Sequence, residues 1–241
     1  MKYISRLTLL LALLAGSCDY LDYDETSGYD KEDMFMYLER AKNMLSNVYS
    51  YLPSDMSSID GAMRAAAADD AGFVWSESSV HRFNDGSWSA IETIDDQWDH
   101  FYSGIRAANI FLENHRKDFD NIRWNNNYED LMKQYVNYPY EARFLRAFFH
   151  FELVKRYNNI PLLKQTCTPE EVNEMAPSSF DEVVAYIVEE CNAIAPELPV
   201  TYSELPGGET GRITRGAALA LKSRALLYAA SKLHNPTNDP E

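Results

Sequence analysis

The sequence predicts an all-α fold of stacked helical hairpins joined by long irregular loops, and three observations predict it. Five stretches carry apolar residues at the three-to-four-residue spacing of a helix. Pro, Gly and Asn punctuate the chain between them. The last stretch is rich in small residues, which let helices approach closely. With 241 residues and 46% hydrophobic content, the chain is long enough to bury one real core and too apolar for disorder.

The first helix is expected over residues 31–52, where Phe35, Leu38, Ala41, Leu45, Val48 and Leu52 share a face and Pro53 ends it. Residues 53–94 lack strong periodicity and mix Ser, Asp, Gly and Asn with Phe73, Trp75, Phe83 and Trp88. A stretch that long is too much for a plain connection, and such loops usually carry function. Short strands or a helical turn around Ala65–Ala68 are expected within it. A second helix, 95–116, places Trp98, Phe101, Tyr102, Ile105, Ala108 and Leu112 at helical spacing, with Trp98 read as core. A third runs from 128 to 157, and Pro139 should restart or kink it. Its second half is apolar on nearly every face, the signature of a helix buried between neighbours. Asn158, Asn159 and Pro161 stop it. The fourth opens at Ser178 or Ser179 with Asp181 and Glu182 in a capping-box arrangement. Phe180, Val183, Val184, Ile187, Cys191 and Ile194 then form one stripe. The turn-rich segment 199–211 leads to a fifth helix, 214–232, opened by Thr214. Antiparallel pairs stacked in a tetratricopeptide-like manner are the natural reading, although no clean 34-residue period is visible. An odd helix count leaves the fifth without a hairpin partner, so apolar surface is expected on it.

A net charge of −15 repels phosphate backbones, which argues against nucleic-acid binding and against a basic patch on anionic lipid. The five histidines and three cysteines show no metal-ligand spacing, so neither a metal site nor a cofactor is expected. Cys191, on an apolar helix face, reads as a buried free thiol; a Cys167–Cys191 disulfide is the alternative in an exported protein. Adjacent acids at Asp69-Asp70, Asp95-Asp96 and Glu170-Glu171 point in different directions. They read as solvated surface or caps, and no nucleophile elbow, phosphate loop or zinc-protease motif accompanies them. Arg143 and Arg146, near Glu141, read as structural ion pairing. No enzyme is expected.

The N-terminus is the most informative segment. Lys2 and Arg6 precede an apolar run from Leu7 to Ala15, interrupted only by Thr8, and Ala15-Gly16-Ser17 supplies a small-residue cleavage site before Cys18. The run is too short to span a bilayer. A cysteine in that position is similar to a bacterial lipobox, in which the thiol is lipidated, although Ala15 stands where Leu is usual. An ordinary secretory signal with an incidental cysteine is the alternative. Residues 1–17 are thus read as leader, 18–30 as an acidic, aromatic tether, and 31–241 as the folded body.

Within that body, Glu141-Ala142-Arg143-Phe144-Leu145-Arg146-Ala147, followed by Tyr157-Asn158-Asn159-Ile160-Pro161-Leu162, resembles the SusD/RagB family of outer-membrane nutrient-uptake lipoproteins. In that family the turn reads Tyr-Gly-Gly-Val-Pro-Leu; both glycines are asparagines here. Gly211-Arg212-Ile213-Thr214-Arg215 through Ala225, Trp98 through Asn109, and Asn84 through Ser89 resemble the family in the same order. The blocks correspond to the N-terminal half of a family member, so the chain is expected to be incomplete. The resemblance implies a surface-exposed, lipid-anchored protein of the outer membrane that binds oligosaccharide and serves a SusC-type TonB-dependent transporter. Asp19 and Asp22, behind the lipidated cysteine, suit surface export. Sugar binding needs flat aromatic faces and a few polar groups. Trp75 and Trp88 would supply the first, and Asp70, Arg82, Asn84 and Asp85 the second, unless both tryptophans merely pack the loop onto the helices. Trp124 is assigned to neither role. A helical scaffold that binds another protein and no glycan is the competing reading.

Overall fold

The computed structural model describes residues 31–54, 59–89, 91–203, 205 and 209–237; the leader, Cys18 and the tether lie outside them. The architecture is all-α, and among the described residues no strand forms. Isolated bridges at Ile59–Ala62 and Ile160–Ser178 are the β-type pairs.

The first expected helix is two: α1 (Lys31–Met36) and α2 (Leu38–Tyr49), separated by Tyr37 in an extended conformation (φ −119°, ψ 134°). Residues 53–94 contain a 3₁₀ turn at Arg64–Ala67, where a helical turn was expected, and the short α3 (His81–Asp85). The second expected helix is α4 (Trp98–Asn114). Pro139 divides the third as expected: α5 (Tyr128–Tyr135) ends, and α6 (Tyr138–Tyr157) restarts with the proline in its first turn, where its missing N–H is no loss. Asn158 then adopts φ +65° and ends α6. The sequence reading missed α7 (Pro169–Glu174), which Thr168 opens with a capping box to Glu171. Ser179 and Glu182 form the expected capping box of α8 (Phe180–Ile194), and the Thr214 hydroxyl caps α9 (Arg215–Ala229).

The long helices stack in order, α2 on α4, α4 on α6, α6 on α8 and α8 on α9. Helix α6 lies at the centre. Ala142, Leu145, Phe149, Phe151 and Leu153 are all sealed from solvent on several of its faces. Its crossing with α4 is close because Gly104 lies against the Phe149 ring. A Cβ there would sit 2.8 Å from Cε2 of that ring. Helix α9 buries Ala218, Leu221 and Ala225 and leaves Leu219, Leu226 and Leu227 exposed. Cys191 is buried and Cys167 partly exposed, both as free thiols. Among the described residues no helix is long and apolar enough to cross a membrane.

Candidate functional site

The segment 59–94 builds a small core of its own from Ile59, Ala62, Ala66 and Val80, with Phe73, Phe83 and Ile94 packed against it. With those apolar groups turned inward, Trp75 and Trp88 point out. They are 75% and 56% exposed. The Trp75 carbonyl accepts from Ser78 N–H and lies 2.9 Å from His81 Nε2, while its ring meets Phe73 at 6.0 Å. The backbone beside Trp88 is held by Arg82, whose Nε and Nη2 donate to the Ser87 carbonyl at 3.0 and 2.5 Å. Arg82 also pairs with Glu92 at 3.2 Å. Gly86 turns the chain at φ +70°, and Asp85 Oδ1 accepts from Ser87 N–H; the Ser87 hydrogen bonds hold that carboxyl below the usual aspartate range. Asn84 Nδ2 donates to the Ala66 carbonyl at 3.2 Å. Arg82 and Asn84 therefore sit beside the tryptophans as straps that stiffen the loop, and Asp70 lies exposed on the same segment.

This segment is moored to α6. Asp95, at φ +56°, accepts from Arg64 (3.2 Å) and Arg156 (3.0 Å), and Arg156 also pairs with Glu152 at 2.6 Å. The Tyr157 hydroxyl donates to Asp96 at 2.7 Å, which keeps that carboxyl low, and accepts from Gln97 N–H. The acids of the Asp95-Asp96 pair thus serve separate structural partners.

Two buried polar networks complete the frame. Glu141, fully buried, accepts from the Tyr49 hydroxyl (2.5 Å), the Tyr202 hydroxyl (2.7 Å) and the Arg212 guanidinium (2.9 Å). Arg212 reaches on to Glu209 and covers the Tyr138 ring at 4.3 Å, and its paired carboxylates raise its already high pKa. Arg143 and Arg146 do form ion pairs, but with Glu190 of α8 (2.9 and 3.3 Å) and not with Glu141. Arg146 also donates to Asn109 Oδ1 (2.9 Å) and the Lys164 carbonyl (2.6 Å). Asn109 Nδ2 in turn donates to the Leu163 and Gln165 carbonyls. His150 Nδ1 lies 2.8 Å from the Arg146 carbonyl, and Nε2 accepts from Leu163 N–H at 3.2 Å.

These contacts fix segment 160–167, which with α4 walls a groove of about 540 Å³. Trp98, read as core, stands on its rim, 36% exposed, braced by Tyr102 (4.9 Å) and Tyr157 (5.0 Å). Helical spacing placed it on the inner face, but the C-terminal Tyr157 of α6 covers only part of the indole and leaves the rest open to the groove. Trp124 is 93% exposed.

Residues 19–227 match the family described as SusD-like, starch-binding and associating with the outer membrane. Among solved structures, a SusD-like protein from Bacteroides fragilis NCTC 9343 is 28% identical with a TM-score of 0.60, over 87% of this chain and 38% of that one. A SusD-like carbohydrate-binding protein from the same strain is 23% identical (TM-score 0.60, 86% and 40% covered). A laminarin-binding SusD-like protein is 21% identical (TM-score 0.59, 83% and 41% covered). The last two likenesses are of fold. The chain spans about two fifths of the length of these structures. No curated protein matches it.

Proposed function

The chain belongs to the SusD-like family, described as starch-binding and associating with the outer membrane, and from that membership we propose a glycan-binding lipoprotein of the outer membrane. In this reading residues 1–17 are the leader and Cys18 carries the lipid. Residues 18–30 tether a body, 31–241, that captures oligosaccharide for a SusC-type TonB-dependent transporter. The protein binds and does not catalyse.

The observation that carries the reading is the pair of outward-facing indoles, Trp75 and Trp88, on a loop with its own core. An exposed indole on stiff backbone offers a flat apolar face to a pyranose ring without an ordering cost on binding. The straps from Arg82 and Asn84 supply that stiffness, and Asp70 and Asp85 remain at the edge to accept from hydroxyls.

Affinity electrophoresis against starch, laminarin and other neutral polysaccharides tests it. Trp75→Ala and Trp88→Ala should each weaken retardation roughly fivefold, about 1 kcal/mol of lost ring contact, with the circular dichroism unchanged. Retardation by no glycan, together with co-purification of a transporter barrel, would replace the reading with the protein-binding scaffold. Labelling with a palmitate analogue, abolished by Cys18→Ser, tests the anchor.

A further inference from the structure

We propose that the groove between α4 and segment 160–172 is a second subsite, distinct from the loop tryptophans, for a stretch of neutral pyranose chain; this rests on the glycan-binding reading. The floor is α4, which presents Trp98, Tyr102 and Arg106 at four-residue steps and Asp99 and Ser103 beside them. From Trp98 to Arg106 the helix advances roughly 12 Å, the span of a short oligosaccharide. The opposite wall is Pro161 to Cys167 with Val172 of α7.

The wall does not give. The Tyr102 hydroxyl donates to the Pro161 carbonyl at 2.8 Å, Asn109 holds the carbonyls of Leu163 and Gln165, and Glu113 accepts from both N–H and Oγ1 of Thr166 at 2.7 Å. A volume near 540 Å³ falls within the range of small-ligand sites.

Its chemistry is mixed. Trp98, Tyr102, Pro161 and Leu163 offer apolar faces; Asp99, Ser103, Arg106 and Gln165 offer polar atoms. Arg106 is the informative one. Arg82, Arg143, Arg146, Arg156 and Arg212 are all engaged in ion pairs, whereas Arg106 is exposed and has no hydrogen-bond or ion-pair partner among the described residues. A guanidinium left free beside aromatic rings has paired N–H donors that neighbouring sugar hydroxyls can accept. Asp99, on the same helix face, accepts from hydroxyls and repels a carboxylate, as does the −15 charge of the chain. That balance selects a neutral sugar over a uronate.

Cys167 in the lining gives a local readout. The full chain is mixed with malto-, laminari- or galacturono-heptaose, alkylated, and analysed by peptide mass spectrometry. Buried Cys191, whose thiol burial pushes up to about 12, is the internal control. A neutral heptaose that binds should slow Cys167 alkylation several-fold and leave Cys191 unchanged. Arg106→Gln and Trp98→Ala should abolish that protection and weaken binding roughly tenfold, whereas Trp75→Ala should leave the protection in place. A neutral glycan that is retarded through Trp75 and Trp88 yet leaves the Cys167 rate unchanged overturns the groove proposal and leaves the family reading standing. Better protection by the galacturonate chain overturns the neutral-sugar assignment. Binding of no glycan removes both.

Discussion

His150 should give the protein a measurable acid sensitivity well above the carboxylate range. The ring is fully buried on α6, with both nitrogens engaged: Nδ1 at the Arg146 carbonyl and Nε2 accepting from Leu163 N–H. That pattern suits the neutral Nδ1–H tautomer, because a protonated Nε2 could no longer accept. Burial, reinforced by the Arg146 and Lys164 charges and opposed by the hydrogen bond to the Arg146 carbonyl and by Glu190, lowers its pKa from 6.5 to about 4. Between those values the unfolded chain binds a proton that the native state refuses. Stability is therefore full above pH 6.5 and falls as the pH drops toward 4. The shift corresponds to roughly 3 kcal/mol at most. Urea unfolding at half-unit steps from pH 7.5 to 4, on wild type and His150→Gln, isolates it, because the amide keeps an acceptor for Leu163 and does not titrate. The stability difference between the two proteins should shrink by a few kcal/mol across that window. Parallel curves would refute the reasoning. The lowered carboxyls of Asp96 and Glu182 are not among the groups that shift His150, so their titration is common to both proteins.

Further outcomes follow from the packing. Glu141→Gln should cost roughly 3 kcal/mol, because Arg212 keeps Glu209 but loses its buried counter-charge. A double-mutant cycle with Arg212→Met should show strong coupling, and additive losses would contradict the pairing. Gly104→Ala should destabilise by about 1–3 kcal/mol through overpacking against Phe149 and Tyr51, despite the better helix propensity of alanine. Ser179→Ala should cost about 1 kcal/mol by removing the α8 cap, read as a lower urea midpoint. The exposed Leu219, Leu226 and Leu227 of α9 should make the isolated chain self-associate, and light scattering on Leu227→Gln should show a lower apparent mass.

Local signals were legible where a single element determines them. The stripe and cap of α8, the buried α6 and the restart at Pro139 all follow from spacing and backbone chemistry within one helix. Tyr37 breaks the first helix without any glycine or proline to announce it. Thr168-Pro169-Glu170-Glu171 carried a capping-box signal, but α7 has too few apolar residues to show a period. Trp98 failed for a different reason. Periodicity assigns a residue to a face, and only tertiary structure says whether a neighbour covers that face. Pairing across the chain is hidden in the same way: Arg212 lies 71 residues from Glu141, and Arg146 37 from Asn109. Once those pairs are seen, the resemblance itself has a physical reading. Glu141 and Arg146 belong to one family block, Arg212 to a second and Asn109 to a third, so the blocks meet as the buried polar frame of the helical stack. The outward-facing Trp75 and the free Arg106 are not needed to hold that frame. Family and any ligand are therefore written in different residues: the buried pairs identify the fold, and the proposed glycan contacts lie on the surface they support.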